Sequence, residues 1–354
     1  MGPHSLESGT FRKRNMRSLH ISLLLAATIT TTSFAQQQDR GTLKQHQSTD
    51  EAQVDAERSL KSARIATESP ITAAAFSPDG NSVVAVSQSG LHVYSWPALN
   101  WQRTIKSSAS NLHCVEFSPN GKHIAIGGGN PSEDGIVELL SWPAGKLLTK
   151  FDDHSDSVRS VAWVDETRFL TASIDREIKL WDLEMPANPI LAFKGHSRSI
   201  HALCLLKDSK TLISAGIDQS VRVWDLKSGK LIRSMNQHIK PIHALAMRPG
   251  VDGLPMIASA AGDRTIRFWQ PTIGRMVRYV RLDAEPLDIA WLRDGSRIVA
   301  SCVDGRIRVV DPDEVKVNQT LHAIDGWAYA VTIHPKDGSI LVGGISGQLS
   351  RVIP

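Results

Sequence analysis

From Ile71 onward the chain alternates apolar and polar positions in short runs, and each run ends in a turn signal. Ile71-Thr72-Ala73-Ala74-Ala75-Phe76 leads into Ser77-Pro78-Asp79-Gly80, and Leu112-His113-Cys114-Val115-Glu116-Phe117 leads into Ser118-Pro119-Asn120-Gly121. Period-two alternation puts one set of side chains on each face of a strand. The turn that follows has a mechanism, because proline presets φ and glycine accepts positive φ. Equivalent first strands are predicted at Val158–Trp163, Ile200–Leu205, Ile242–Met247, Leu287–Leu292 and Ala328–Ile333. A small-residue apolar strand follows each, as at Ser82–Ser87, Phe169–Ser173, Thr211–Ala215, Met256–Ala260, Arg297–Cys302 and Ile340–Gly344. A third strand then ends the motif and a fourth runs toward the next unit.

The third strands share their endings. Ser173-Ile174-Asp175 runs to Leu180-Trp181-Asp182, Gly216-Ile217-Asp218 to Val223-Trp224-Asp225, and Gly262-Asp263 to Phe268-Trp269-Gln270, with the aspartate six residues before the tryptophan. A histidine precedes each unit, at His154, His196 and His238, in steps of 42 residues. A period near 40 means that one supersecondary unit is stacked repeatedly. Four antiparallel strands per unit with this His, Asp and Trp spacing resemble a WD-repeat β-propeller, over roughly residues 58–354. The expected fold is all-β, with seven blades of four antiparallel strands. Tyr94, Leu140, Val310 and Val352 take the tryptophan position in the remaining units, whereas Trp96 and Trp142 lie two residues beyond it. The seventh unit reaches its third strand at Gln348–Ile353, so closure is expected from an N-terminal strand within Ser59–Ala66. Such pairing removes raw sheet edges.

Composition divides the chain further. Lys and Arg total 40 against 36 Asp and Glu, but residues 1–35 hold Arg12, Lys13, Arg14 and Arg17 against Glu7 alone. The remainder is nearly balanced, which argues against a nucleic-acid partner, since phosphate neutralisation needs a concentrated basic face. The basic stretch leads into an apolar run from Leu19 to Ala27 and then Ser33-Phe34-Ala35. That order predicts a signal peptide over 1–35 and an exported protein of bacterial type, periplasmic or secreted, with no membrane insertion of the mature chain. Residues 36–56, rich in Gln, Asp and Glu, read as a flexible polar linker before a propeller at 57–354. Cys114, Cys204 and Cys302 fall in strands of different units and are expected to be small buried hydrophobes rather than a disulfide.

The resemblance implies a structural hydrogen-bonded tetrad of His154, Ser173, Asp175 and Trp181 in the third unit. His196, Asp218 and Trp224 occupy its positions in the fourth, and His238, Asp263 and Trp269 in the fifth. Gly216 and Ala261 stand where Ser173 does, so the tetrad is expected to be complete in the third blade alone. A catalytic triad is not indicated, because no Gly-x-Ser-x-Gly elbow surrounds Ser173. The resemblance also implies a second constellation, because the second residue of each innermost strand lies on the rim of the central channel in WD-repeat propellers: Thr72, His113, Arg159, His201, His243, Asp288 and Tyr329, with Trp327 beside it. Arginine and large aromatics anchor interfaces. These residues are the expected partner-binding set, and a protein or peptide is the expected partner. No metal or other cofactor is expected, although the three histidines invite the question. The glycine-rich insertion Gly127–Asp134 in the second unit is expected on the same face. The sequence thus points to a monomeric, non-enzymatic scaffold. An enzyme or metal-dependent small-molecule binder using the channel is the alternative.

Overall fold

The computed structural model describes residues 62–64, 69–250 and 253–353, so the expected signal and linker lie outside the described residues. Among the described residues there are 28 strands and no helix, arranged in seven four-stranded sheets. All ladders are antiparallel, and the third blade shows the pattern: Val158–Trp163, Arg168–Ser173, Glu177–Asp182 and Leu191–Lys194 pair in sequence order. The other innermost strands are Ala73–Phe76, Cys114–Phe117, Ile200–Leu205, Ile242–Met247, Pro286–Trp291 and Ala328–Ile333. This is the seven-bladed propeller that the repeat predicts.

Second strands such as Val83–Val86 and Ala258–Ala261 are buried throughout, because both of their faces pack on neighbouring blades. Each of the seven apolar clusters is accordingly shared by two adjacent blades. Leu170, Ile178 and Phe193 of the third pack with Ile200, Leu212 and Trp224 of the fourth. Leu341 and Leu349 of the seventh likewise pack with Ile71, Val83 and Tyr94 of the first. A backbone bond from Ile71 N to Gly344 O, 3.0 Å, joins the same two blades. In the seventh sheet Ser62–Arg64 lies antiparallel to Gln348–Val352. We propose that this short strand is the clasp expected from the N-terminal segment.

The register fixes the tryptophan position. Trp181, Trp224 and Trp269 stand opposite Phe169, Leu212 and Ile257, and Tyr94, Leu140, Val310 and Val352 occupy the same place against Val83, Ile124, Ile298 and Ile340. Trp96 and Trp142 are not in that layer. Trp96 instead packs on Phe76 and His334 under Arg351, and Trp142 on Phe117. All three cysteines are free, as expected, and burial pushes each thiol up to about 12.

Candidate functional site

The tetrads are complete in three blades, and their hydroxyl is not the expected one. In the third blade His154 Nδ1 donates to Asp175 Oδ2 at 2.7 Å, and Thr171 Oγ1 meets His154 Nε2 at 2.7 Å and accepts from Trp181 Nε1 at 2.9 Å. Ser214 and Ser259 do the same for His196 with Trp224 and for His238 with Trp269. Asp218 and Asp263 meet their histidines at 2.8 Å. Ser173 is therefore not the tetrad hydroxyl, and Gly216 and Ala261 do not interrupt the network. The reason is reach. Thr171 is the diagonal neighbour of Trp181 on one face of the ladder, while Ser173 lies a further two residues along, beyond the indole. Ser173 instead donates to Asp156 O at 2.6 Å and accepts from Asp175 N at 3.0 Å, bracing the turn.

Burial works to raise the Asp175, Asp218 and Asp263 carboxyls, but bonds from their histidines and nearby hydroxyl or amide groups hold each below the usual range. All of this is structural chemistry inside the blade. With Asp as acceptor, each imidazole is spent orienting a turn.

Blades without the tetrad solve the same problem differently, at a position that the sequence did not single out. Two residues before the tryptophan position stand His92, Glu138 and Arg308 in the first, second and sixth blades, each at most 2% exposed. Arg308 grips both oxygens of Asp304 at 2.7 Å and reaches Asp283 at 2.7 Å. Glu138 accepts from Ser108 N at 3.0 Å, and His92 sits between Ser87 and Thr104 at 2.9 and 2.8 Å. The signal was the polar residue in an otherwise apolar strand.

At the channel mouth a cavity of about 600 Å³ is lined by Thr72, His113, Arg159, His201, His243, Leu287, Asp288 and Tyr329, one or more from every blade. The seven expected positions do converge. Bulges explain how: the ladder skips Arg159, His201, His243 and Tyr329, so each is left out of register and turned toward the axis. The sixth blade corrects the expectation by one residue. Its innermost strand begins at Pro286, the skipped residue is Leu287, and Asp288 pairs in register with Ser301. Asp288 is thus the counterpart of Ser160, not of Arg159. Its role matches: Asp288 Oδ2 accepts Val331 N at 2.9 Å from the next blade, as Ser160 Oγ accepts Leu203 N at 3.2 Å.

Many rim residues tie one blade to the next. Thr72 donates to Leu112 O at 2.6 Å. Arg159 Nη1 donates to His113 Nδ1 at 2.9 Å, which fixes that imidazole as the neutral tautomer with its proton on Nε2. His201 and His243 stack with centroids 6.3 Å apart, and His243 Nε2 meets Glu285 at 2.8 Å. Glu285 was not among the expected rim residues. Burial, then the charge of Arg159, depress His113 and His201 to about 3. Burial pushes Asp288 up to about 7 against the two amide bonds that oppose it. Trp327 does not line the cavity. It stands 48% exposed at the rim with its ring 5.8 Å from Tyr329.

The insertion of the second blade is tied down: Asn130 N and Ser132 N donate to Asp134 and Asp156 at 2.7 and 2.9 Å. Among the described residues, no group of three or more His, Cys, Asp or Glu side chains is placed to hold a metal ion, and no helix is long and apolar enough to cross a membrane.

Comparison with known proteins agrees with this geometry. The model of the WD domain, G-beta repeat, matches residues 100–139, 145–182 and 187–225. The UBP9-binding protein bun62 of Schizosaccharomyces pombe is 34% identical over 127 residues, 34% of this chain and 23% of that protein. The U3 small nucleolar RNA-associated protein 15 homolog of Xenopus laevis is 25% identical over 274 residues, 76% of this chain and 51% of its own length. The pre-rRNA-processing protein IPI3 of Mycosarcoma maydis is 37% identical over 98 residues, 27% of this chain and 16% of its own. The chain therefore spans about half or less of the length of these relatives. The names of the latter two attach to small nucleolar RNA and pre-rRNA processing, which overturns the expectation of an exported, bacterial-type protein. The chain is a seven-bladed β-propeller carrying WD40 repeats.

Proposed function

We propose that this protein is a non-enzymatic interaction scaffold that receives a segment of a partner protein at the channel mouth. One observation carries the reading: seven equivalent positions, one per blade, are turned by strand bulges or strand starts into one cavity. Half-buried Tyr329 lines that cavity and exposed Trp327 stands beside it, an aromatic pair of the kind that anchors interfaces. The blades hold this surface rigidly, so little ordering cost falls on the scaffold when it binds. A relative named for binding another protein supports the class of activity, and relatives named for small nucleolar RNA and pre-rRNA support a partner within an RNA–protein assembly. In such an assembly this chain contacts a protein component through the rim.

The test is selection of a random peptide display library on the wild-type protein, followed by affinity measurement of the selected peptides on Trp327→Ala and Tyr329→Ala. Each substitution is expected to weaken binding by about 2 kcal/mol, with little change in melting temperature for the exposed Trp327. Arg293→Ala, which removes a surface contact to Pro335 O on the opposite face, is the control. Selected peptides that bind both aromatic variants as tightly as wild type, and lose affinity on Arg293→Ala, would move the interface to the other face.

A further inference from the structure

We propose that Arg159 is the seat for a carboxylate of an acidic peptide side chain entering the channel mouth. This rests on the channel mouth being the partner face, and adds what the partner must present. The guanidinium sits at a bulge in the third blade and lines the cavity beside His113 and His201. Its one hydrogen bond goes to His113 Nδ1 at 2.9 Å, and it has no carboxylate within ion-pair distance among the described residues.

That sets it apart from five other enclosed cations. Arg308 is matched by Asp304 and Asp283, Arg222 by Asp218, Arg267 by Asp263, Arg248 by Asp313, and Lys179 by Asp153. A charge drawn out of bulk water is costly unless paired, and here the cavity leaves the pairing position open to solvent. Nearby acids do not fill it. Asp288 spends both oxygens on the amides of Ile289 and Val331, and Glu285 is engaged by His243.

Guanidinium presents a planar fork that accepts a carboxylate bidentately. His113, whose Nδ1 is occupied by Arg159, has its remaining ring N–H as a further donor in the same lining. A nucleic-acid strand suits this place poorly. Its backbone needs a track of cations, and the two imidazoles that feel the charge of Arg159, His113 and His201, are held neutral by burial and by that charge. One cation in the lining of the cavity selects one anionic group.

The experiment measures fluorescence anisotropy of labelled hexaglutamate, hexaglutamine and a twelve-residue oligothymidylate on the full chain. Hexaglutamate is expected to bind wild type more tightly than hexaglutamine, and Arg159→Gln to weaken it by about tenfold or more. Arg159→Lys, which keeps the charge and loses the fork, is expected to fall between and covers the case in which the glutamine variant does not fold. The proposal is overturned if wild type does not bind hexaglutamate, if hexaglutamine binds equally, or if both Arg159 variants bind as wild type does. It is also overturned if the oligothymidylate binds more tightly and depends on Arg159. Hexaglutamate binding that is lost in Trp327→Ala but kept in the Arg159 variants would retire the seat and leave the partner face standing. Binding indifferent to all three positions would retire both.

Discussion

Ser214→Ala tests where the tetrad hydroxyl lies. In the fourth blade Ser214 Oγ accepts the indole proton of Trp224 at 2.8 Å and meets His196 Nε2 at 2.7 Å, with the other imidazole nitrogen held by Asp218. Ser214 and Trp224 are at most 1% exposed and His196 6%, so no water replaces a lost partner. Alanine removes one oxygen and strands two buried groups, an indole N–H and an imidazole nitrogen. Each orphaned group costs about 1–3 kcal/mol, and together they predict a loss of about 2–6 kcal/mol. For a domain of this size that corresponds to a melting temperature lower by about 3–10 °C, read by calorimetry at pH 7.5. The companion substitution is Gly216→Ser, which restores the hydroxyl where spacing alone would put it. Its Cβ would lie 2.0 Å from Ser199 O and 2.8 Å from Ile200 Cα, both backbone, so the structure predicts destabilisation instead of repair. A Ser214→Ala protein that melts like wild type, together with a stabilised Gly216→Ser, would refute the assignment.

Two further outcomes are expected. Burial holds His196 and His238 below their ordinary range and, with Arg159 nearby, His113 and His201 at about 3, so the unfolded chain binds more protons than the folded one below about pH 6.5. Stability from these groups is full above that pH and is lost as pH falls. Asp288, raised to about 7, has the opposite sign and loses its contribution as pH rises from about 4 toward 7. Melting temperature should therefore drop on acidification from pH 6.5 to 4.5, and drop less in His201→Gln; a flat wild-type profile would count against the buried neutral imidazoles. The proposed clasp is tested by truncation. Removing residues through Leu43 should be silent, whereas removing them through Ala66 takes away the strand paired with Gln348–Val352 and exposes an edge prone to aggregation; equal behaviour of the two truncations by light scattering would show that the blade packing of Leu341 and Leu349 closes the ring unaided.

The sequence by itself determined the repeat, the number of blades, the strand order and the layer of tryptophan positions. Those depend on local patterning: period-two alternation, Pro-Asp-Gly turns and the six-residue step from Asp to Trp are each set within a few residues. The residues that the resemblance to WD-repeat propellers implied for the rim line the cavity, with Leu287 rather than Asp288 at the bulge of the sixth blade. What the sequence could not decide is where one residue of register or one diagonal of reach matters. Asp288 and Leu287 are both plausible second residues of a strand until Pro286 is seen opposite Cys302, because a bulge is an event between two strands and leaves no mark on one. Ser173 and Thr171 are equally hydroxylic until the ladder shows which one stands diagonal to the indole. The channel belongs wholly to the tertiary structure. Arg159, His113 and His201 are 46 and 42 residues from one another in the chain and adjacent only because blades close on an axis. A guanidinium without an acid partner there is a property of the ring, since ion pairing is decided by which side chains the closed fold brings within reach.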